Sequence, residues 1–136
     1  MTQSDKELLL KDLCARLPYK VKVQDTYYKS LEPAPIWLLD LHAQKVRLFA
    51  DEGYQSIEYI KPYLFPLSSI TEEQIKELSK LGVSYCEYAL HDDIRGLGIM
   101  IDEAYIFFEF CYKHHIDFLG LIDMGLANDA TGLNIY

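Results

Sequence analysis

The stretch Ser4–Gln24, SDKELLLKDLCARLPYKVKVQ, changes its hydrophobic period part-way along, and that change decides the fold class. In its first part Leu9, Leu13 and Leu17, flanked by Leu10 and Cys14, recur at three- and four-residue intervals, which makes one apolar stripe on a helix. Ser4 and Glu7 have capping-box spacing, in which two side chains satisfy backbone N–H groups that a first helical turn leaves unpaired. Pro18 denies its predecessor the α conformation. The spacing therefore predicts a helix over Asp5–Arg16, with Lys6, Lys11, Asp12 and Arg16 in water. Immediately afterwards Val21 and Val23 alternate with Lys20, Lys22 and Gln24, the two-residue period of a strand with one wet face. A helix followed by half-buried strands points to an α+β chain.

The same alternation extends outward. Ile36–Leu41 is an apolar run bounded by Pro35 and the polar stretch His42–Lys45, and Val46, Leu48 and Ala50 follow in alternation. A hairpin is the simplest connection of the two runs. A further strand is expected at Ile57–Lys61, with Pro33, Pro35, Pro62 and Pro66 at the sheet margins, where a missing donor does least harm. Thr71 and Gln74 write a second capping box, Ile70 and Ile75 a hydrophobic staple, and Gly82 a left-handed stop. Val83, Tyr85 and Tyr88 suggest a weak strand and His91–Gly98 a loop. Glu103–His115 combines helical spacing of Ala104, Phe107, Phe108, Cys111 and His115 with strand-favouring residue types. Its uninterrupted length and Asp102 as N-cap favour a helix. A short helical turn over Phe118–Met124 and an irregular tail, Asn128–Tyr136, complete the expectation: one domain over residues 1–136, a small antiparallel sheet of three to five strands flanked by an N-terminal helix and two or three further helices.

Composition narrows the function. Of 136 residues half are apolar and 12 are Gly or Pro, which excludes a disordered or low-complexity chain. Apolar runs of only a few residues exclude a membrane-spanning helix, and the polar start excludes a secretory signal in these residues, so a cytoplasmic location is expected. Cys14, Cys86 and Cys111 lack CxxC spacing and read as reduced thiols. The net charge of −8 is uneven: residues 1–50 hold 8 basic and 6 acidic side chains, residues 51–136 hold 5 and 15. The acidic excess disfavours nonspecific nucleic-acid binding, which depends on Lys and Arg displacing counterions.

Two polar clusters bear on chemistry. His114, His115 and Asp117 are ligand types for a divalent metal and His can serve as a general base, but neighbours on a helix point about 100° apart. The partial negative charge of a helix C-terminus suits histidine there instead. His91, Asp92 and Asp93, with Arg95, read as a solvated loop that could also host acid–base chemistry. No metal, phosphate or nucleophile motif accompanies either cluster, so no cofactor is implied and a metal-dependent hydrolase is the weakest reading. A third set interleaves Lys20, Lys22, Lys29, Lys45 and Arg47 with Tyr19, Tyr27 and Tyr28. On one sheet face it would suit a single-stranded nucleic acid; Lys on the wet face of an edge strand equally keeps sheets from pairing. The chain's 11 tyrosines exceed what a small core absorbs and fit a protein interface.

Three stretches, LLLKDLCARLPY (Leu8–Tyr19), KPYLFPLSSITEE (Lys61–Glu73) and HHIDFLGLIDMGLA (His114–Ala127), resemble a family of small uncharacterised proteins of gut Bacteroidales and their phages or prophages. Members usually carry Gly at the position of Lys20 and Arg at the positions of Phe65 and Leu119. The resemblance implies a phage-associated setting and supplies no activity, ligand or catalytic residue. The expected function is a non-enzymatic accessory or regulatory protein that binds another protein through a Tyr-rich surface on the sheet or the C-terminal helical region, with small nucleic-acid binding as the alternative.

Overall fold

A computed structural model describes residues 1–28, 32–49, 52–83 and 101–136, with backbone alone for 101–103. The expected strand at Val83–Tyr88 lies outside the described residues beyond Val83, and the expected loop His91–Gly98 lies wholly outside them.

Helix α1 spans Gln3–Arg16, and its capping box is Thr2 with Asp5, two residues ahead of Ser4 and Glu7: Asp5 N donates to Thr2 Oγ1 (3.1 Å) and Thr2 N to Asp5 Oδ2 (2.7 Å). These reciprocal bonds hold the Asp5 carboxyl below its ordinary pKa. Strands β1 (Lys22–Asp25), β2 (Ala34–Pro35), β3 (Leu38–Asp40), β4 (Lys45–Arg47), β5 (Gln55–Ser56) and β6 (Ile60–Pro66) follow, then α2 (Glu72–Lys80), α3 (Ile101–Lys113), β7 (Ile116–Asp117) and β8 (Asn128–Asp129). The fold is α+β, built on two sheets among the described residues. One has the order β2-β1-β6-β7 with β8 also on β6; the other is β3-β4-β5. The first is mixed, because β6 pairs parallel with β7 and β8 and antiparallel with β1. The expected hairpin is β3–β4, with Leu39 opposite Val46.

Two expectations about strands are corrected. Ile57–Tyr59 is a 3₁₀ turn, and the strand begins at Ile60 and runs through Pro62 to Pro66. Thr26 N bonds Tyr59 O at 2.8 Å, so the antiparallel ladder alternates to bonded pairs at Gln24–Lys61 and Lys22–Tyr63, and Pro62, opposite Val23, falls at a non-bonded position. Its missing N–H costs the β1 pairing nothing. In the tail, expected to be irregular, Asn128–Asp129 is the short strand β8 on β6, and the rest is irregular as expected but anchored: Ala130 N bonds Leu64 O at 2.8 Å, and Ile135 is buried. At the last expected ladder bond, Lys22 N donates 3.0 Å to Tyr136 Oη, which donates 2.8 Å to Tyr63 O. A phenol thus stands between two strands where a direct bond would form. Tyr136→Phe should leave that donor and acceptor unpaired and lower stability by about 1–3 kcal/mol. An unshifted urea midpoint would show that water takes over the bridge.

Residues Leu9, Leu13, Val21, Val23, Val46 and Ile60 form one core between α1 and the sheets; Leu78, Val83, Phe107, Phe110, Cys111 and Ile116 form a second around α2 and α3. The α2 ends are as the sequence specifies. Thr71 and Gln74 exchange their capping-box bonds, and at the other end Gly82 (φ +90°) lets Val83 N reach Leu78 O (3.1 Å) and its own N reach Ser79 O (3.1 Å). Helix α3 contains Asp102 instead of being capped by it, and Phe118–Met124 holds one turn bond of helical type, Met124 N to Gly120 O (3.1 Å), that stops at Gly125 (φ +73°) without growing into a helix. Asp12 and Arg16, expected in water, are wholly buried and paired at 2.8 Å. Arg16 also donates to Cys111 O (3.2 Å) and Ile116 O (2.9 Å), and so ties α1 to α3 and β7.

Candidate functional site

Strand β1 ends at Asp25, whose buried carboxylate accepts from Tyr27 N (2.8 Å) and Tyr28 N (3.3 Å). This Asx-type turn stops the strand and turns both rings outward, leaving Tyr27 58% and Tyr28 69% exposed. Their rings meet edge to face at 5.0 Å, and Tyr59 lies 5.1 Å from Tyr27. Tyr59 is held there because its carbonyl accepts from both Thr26 N (2.8 Å) and Thr26 Oγ1 (2.9 Å). Beside Tyr28 lies a cavity of about 290 Å³, walled by Asp25, Tyr28, Leu48, Phe49, Glu52 and Gln55. Phe49 is itself exposed, and the neighbouring sheet presents Trp37 and Tyr54. Among the described residues, eight of the fifteen exposed large hydrophobic side chains fall between Tyr27 and Tyr59. The rings of Tyr27, Tyr28 and Tyr59 adjoin in space and Tyr28 shares a cavity with Phe49, which distinguishes a patch from scattered surface apolar residues.

The Lys and Tyr set divides. Tyr27 and Tyr28 belong to the patch. Tyr19 is half-buried between α1 and α3, its hydroxyl 3.4 Å from Glu109 Oε1. Lys20 is exposed with a left-handed backbone (φ +56°). Lys22 does not guard an edge: β1 lies between β2 and β6, and the Lys22 ammonium donates to Ile135 O at 2.6 Å. Lys45 is exposed on β4, where its backbone faces Asp40. The Arg47 guanidinium carbon lies 4.3 Å from the centroid of the Tyr54 ring. Lys29 lies outside the described residues. Among the described members of the set, Lys22 and Arg47 are thus engaged within the fold.

Of the two polar clusters, only the one at His114–Asp117 lies within the described residues. His91, Asp92, Asp93 and Arg95 lie outside the described residues. His114 Nε2 meets Glu77 Oε2 at 3.1 Å, and Lys113 reaches the other oxygen at 3.2 Å. Glu77's partial burial is outweighed by these bonds, which hold its carboxyl below the usual value. His115 turns the other way. Its left-handed backbone (φ +56°) places the ring in the interior, stacked on Tyr136 at 3.8 Å and 12°. Burial pushes its pKa down to about 4, with Arg16 and His114 adding to the effect. Asp117 spends both oxygens on Leu121 N (2.9 Å) and Ile122 N (2.8 Å), capping the following turn. His114, His115 and Asp117 therefore serve three separate tasks, and no group of three or more potential metal-binding side chains occurs among the described residues.

Two further features concern chemistry. Burial pushes the Cys111 thiol up to about 12, which leaves it protonated and unreactive; Cys14 is raised by burial as well, and Cys86 lies outside the described residues. No helix among the described residues is long and apolar enough to cross a membrane. Sequence reasoning singled out Tyr27 and Tyr28 but missed Tyr59, Phe49, Trp37 and Tyr54. Their signal was present in a dense run of aromatics between turn residues. Compared with protein-family models, curated proteins and solved structures, the chain has no significant match.

Proposed function

We propose that this protein is an accessory or regulatory binding protein that engages a segment of a partner protein through the aromatic patch of Tyr27, Tyr28, Tyr59 and Phe49. The observation that carries the reading is a run of adjoining exposed rings that ends on a concavity: Tyr59 packs on Tyr27, Tyr27 on Tyr28, and Tyr28 shares the cavity wall with Phe49. Rigid aromatic rings offer large contact area at small entropic cost and dominate interface energetics. The acidic residues Asp25 and Glu52 line the concavity, and Lys22 and Arg47 are engaged within the fold, which favours a protein over a nucleic acid. A phage or prophage of gut Bacteroidales is the proposed setting, on the three resembling stretches. The left-handed backbone at Lys20, where members carry glycine, supports it.

A random peptide library displayed against the whole protein tests the binding reading. Peptides that bind the wild type should lose about tenfold or more in affinity toward Tyr28→Ala or Phe49→Ala, as central aromatic residues at interfaces do. Both side chains are largely exposed, so the variants should keep the wild-type circular dichroism and melting temperature. If no peptide is enriched, or if the enriched peptides bind both variants as tightly as the wild type, the proposal is wrong.

A further inference from the structure

We infer that the cavity beside Tyr28 is a receptor for one cationic side chain, an arginine or lysine, of the bound partner segment. The inference rests on the reading of the patch as a protein-binding surface and adds the chemistry of what it grips.

The walls carry the argument. Two aromatic residues, Tyr28 and Phe49, and two acidic residues, Asp25 and Glu52, line one volume of about 290 Å³, and no lysine or arginine is among its described lining residues. A guanidinium or ammonium head with part of its methylene stem fits that size. Ring faces attract cations through their quadrupole, and flanking carboxylates supply charge and hydrogen-bond acceptors. Leu48 supplies an apolar wall for the stem, since long cationic side chains bury their methylenes and leave the head near polar groups. An anionic or phosphate ligand would meet two carboxylates. A purely apolar side chain would desolvate them without return.

Asp25 is fixed for this role. It is 4% exposed, and its Oδ1 is anchored by the amides of Tyr27 and Tyr28, so the carboxylate and the Tyr28 ring come from one rigid turn. Glu52 is exposed at the rim, where its charge can steer an approaching cation. The chain already holds one arginine on a tyrosine: the Arg47 guanidinium carbon lies 4.3 Å from the Tyr54 centroid. The overall charge of −8 works in the same direction at long range.

The test has two arms on the full chain. In the first, N-acetyl-arginine methylamide is titrated into isotope-labelled protein and followed by amide shifts, with the uncharged isostere N-acetyl-citrulline methylamide as its comparison. The arginine compound should shift the amides of Tyr28, Phe49, Glu52 and Gly53 and bind about five- to thirty-fold more tightly than the citrulline compound. Glu52→Gln and Phe49→Ala should each weaken it several-fold, and added salt should weaken it in the wild type more than in Glu52→Gln. Equal binding of the two compounds, shifts elsewhere, or no shifts at tens of millimolar would overturn the inference. In the second arm, peptides selected by the library should be enriched in arginine or lysine. If Tyr28-dependent peptides emerge neutral or acidic, the cation receptor fails while the aromatic patch stands. If the arginine compound binds as described but no Tyr28-dependent peptide emerges, the cation receptor stands and the protein-binding reading fails.

Discussion

Arg16→Ala should lower the unfolding free energy by about 3–5 kcal/mol at neutral pH, a large share of the total stability of a chain this size. The guanidinium and the Asp12 carboxylate are both wholly buried and 2.8 Å apart. Two further donor bonds, to Cys111 O and Ile116 O, take up half of the four remaining guanidinium hydrogens, and its flat face lies 5.2 Å from the Tyr112 ring centroid. Without Arg16, the Asp12 carboxylate stays in the interior with no opposite charge, and its second oxygen, Oδ1, already lacks a partner. Burial pushes the Asp12 carboxyl up even in the intact protein, against the pull of Arg16. Removing that pull should drive it to the neutral acid. Lysine should not rescue position 16, because a point-like ammonium cannot serve the carboxylate and two carbonyls in one plane. The paired change Asp12→Leu with Arg16→Met should recover part of the loss, since apolar groups of similar volume replace both charges, though the two carbonyls remain without their donor. Chemical denaturation with each variant measures these differences. A loss of less than about 1 kcal/mol for Arg16→Ala would mean that the pair is solvated, and the account of how α1 is tied to α3 would be wrong.

That buried pair also shows what the sequence did and did not disclose. Asp12 and Arg16 stand three and seven residues after Leu9, on the stripe that Leu9 and Leu13 define. Helical geometry therefore placed them inside, and charge alone argued for water. The conflict between position and polarity was the signal, and an opposite charge four residues away resolves it. Local features were readable: the Thr71–Gln74 box, the Ile70–Ile75 staple, the Gly82 stop and the β3–β4 hairpin each close over a few residues. What joins distant segments was not. The parallel pairings of β6 with β7 and β8, and the insertion of the Tyr136 hydroxyl between Lys22 and Tyr63, leave no periodic trace in the tail. The patch was half legible. A surplus of tyrosine announced an aromatic exterior, but only the turn at Asp25 and the packing of Tyr59 against Tyr27 decide which rings gather and which, like Tyr63, are buried.

The stability of the wild type should fall by about 2–3 kcal/mol relative to His115→Phe as pH drops from 7 to 4. His115 is neutral in the fold because burial holds its pKa down to about 4, whereas the unfolded chain protonates near 6.5. Between those values the unfolded state binds the extra proton, so the histidine's contribution is complete above about 6.5 and is lost as pH falls through 4. Phenylalanine keeps a ring to stack on Tyr136, which lies 3.8 Å from the imidazole, and removes the titration. It also removes the buried Nδ1, which has no hydrogen-bond partner among the described residues, so the variant should match or exceed the wild type at low pH. Asp12 acts in the opposite sense: its raised carboxyl regains stability as pH falls. Because Asp12 is present in both proteins, the difference between their pH profiles isolates the histidine. The comparison is read from urea midpoints at closely spaced pH values with the slope of each transition checked for constancy. Parallel profiles would show that His115 reaches solvent and titrates normally, and that the tail around Tyr136 does not shield it. A wild-type curve that diverges below pH 6.5 and levels off near 4 would locate the proton on the imidazole stacked beneath Tyr136. The same proton would weaken the hold on the segment whose hydroxyl bridges Lys22 and Tyr63.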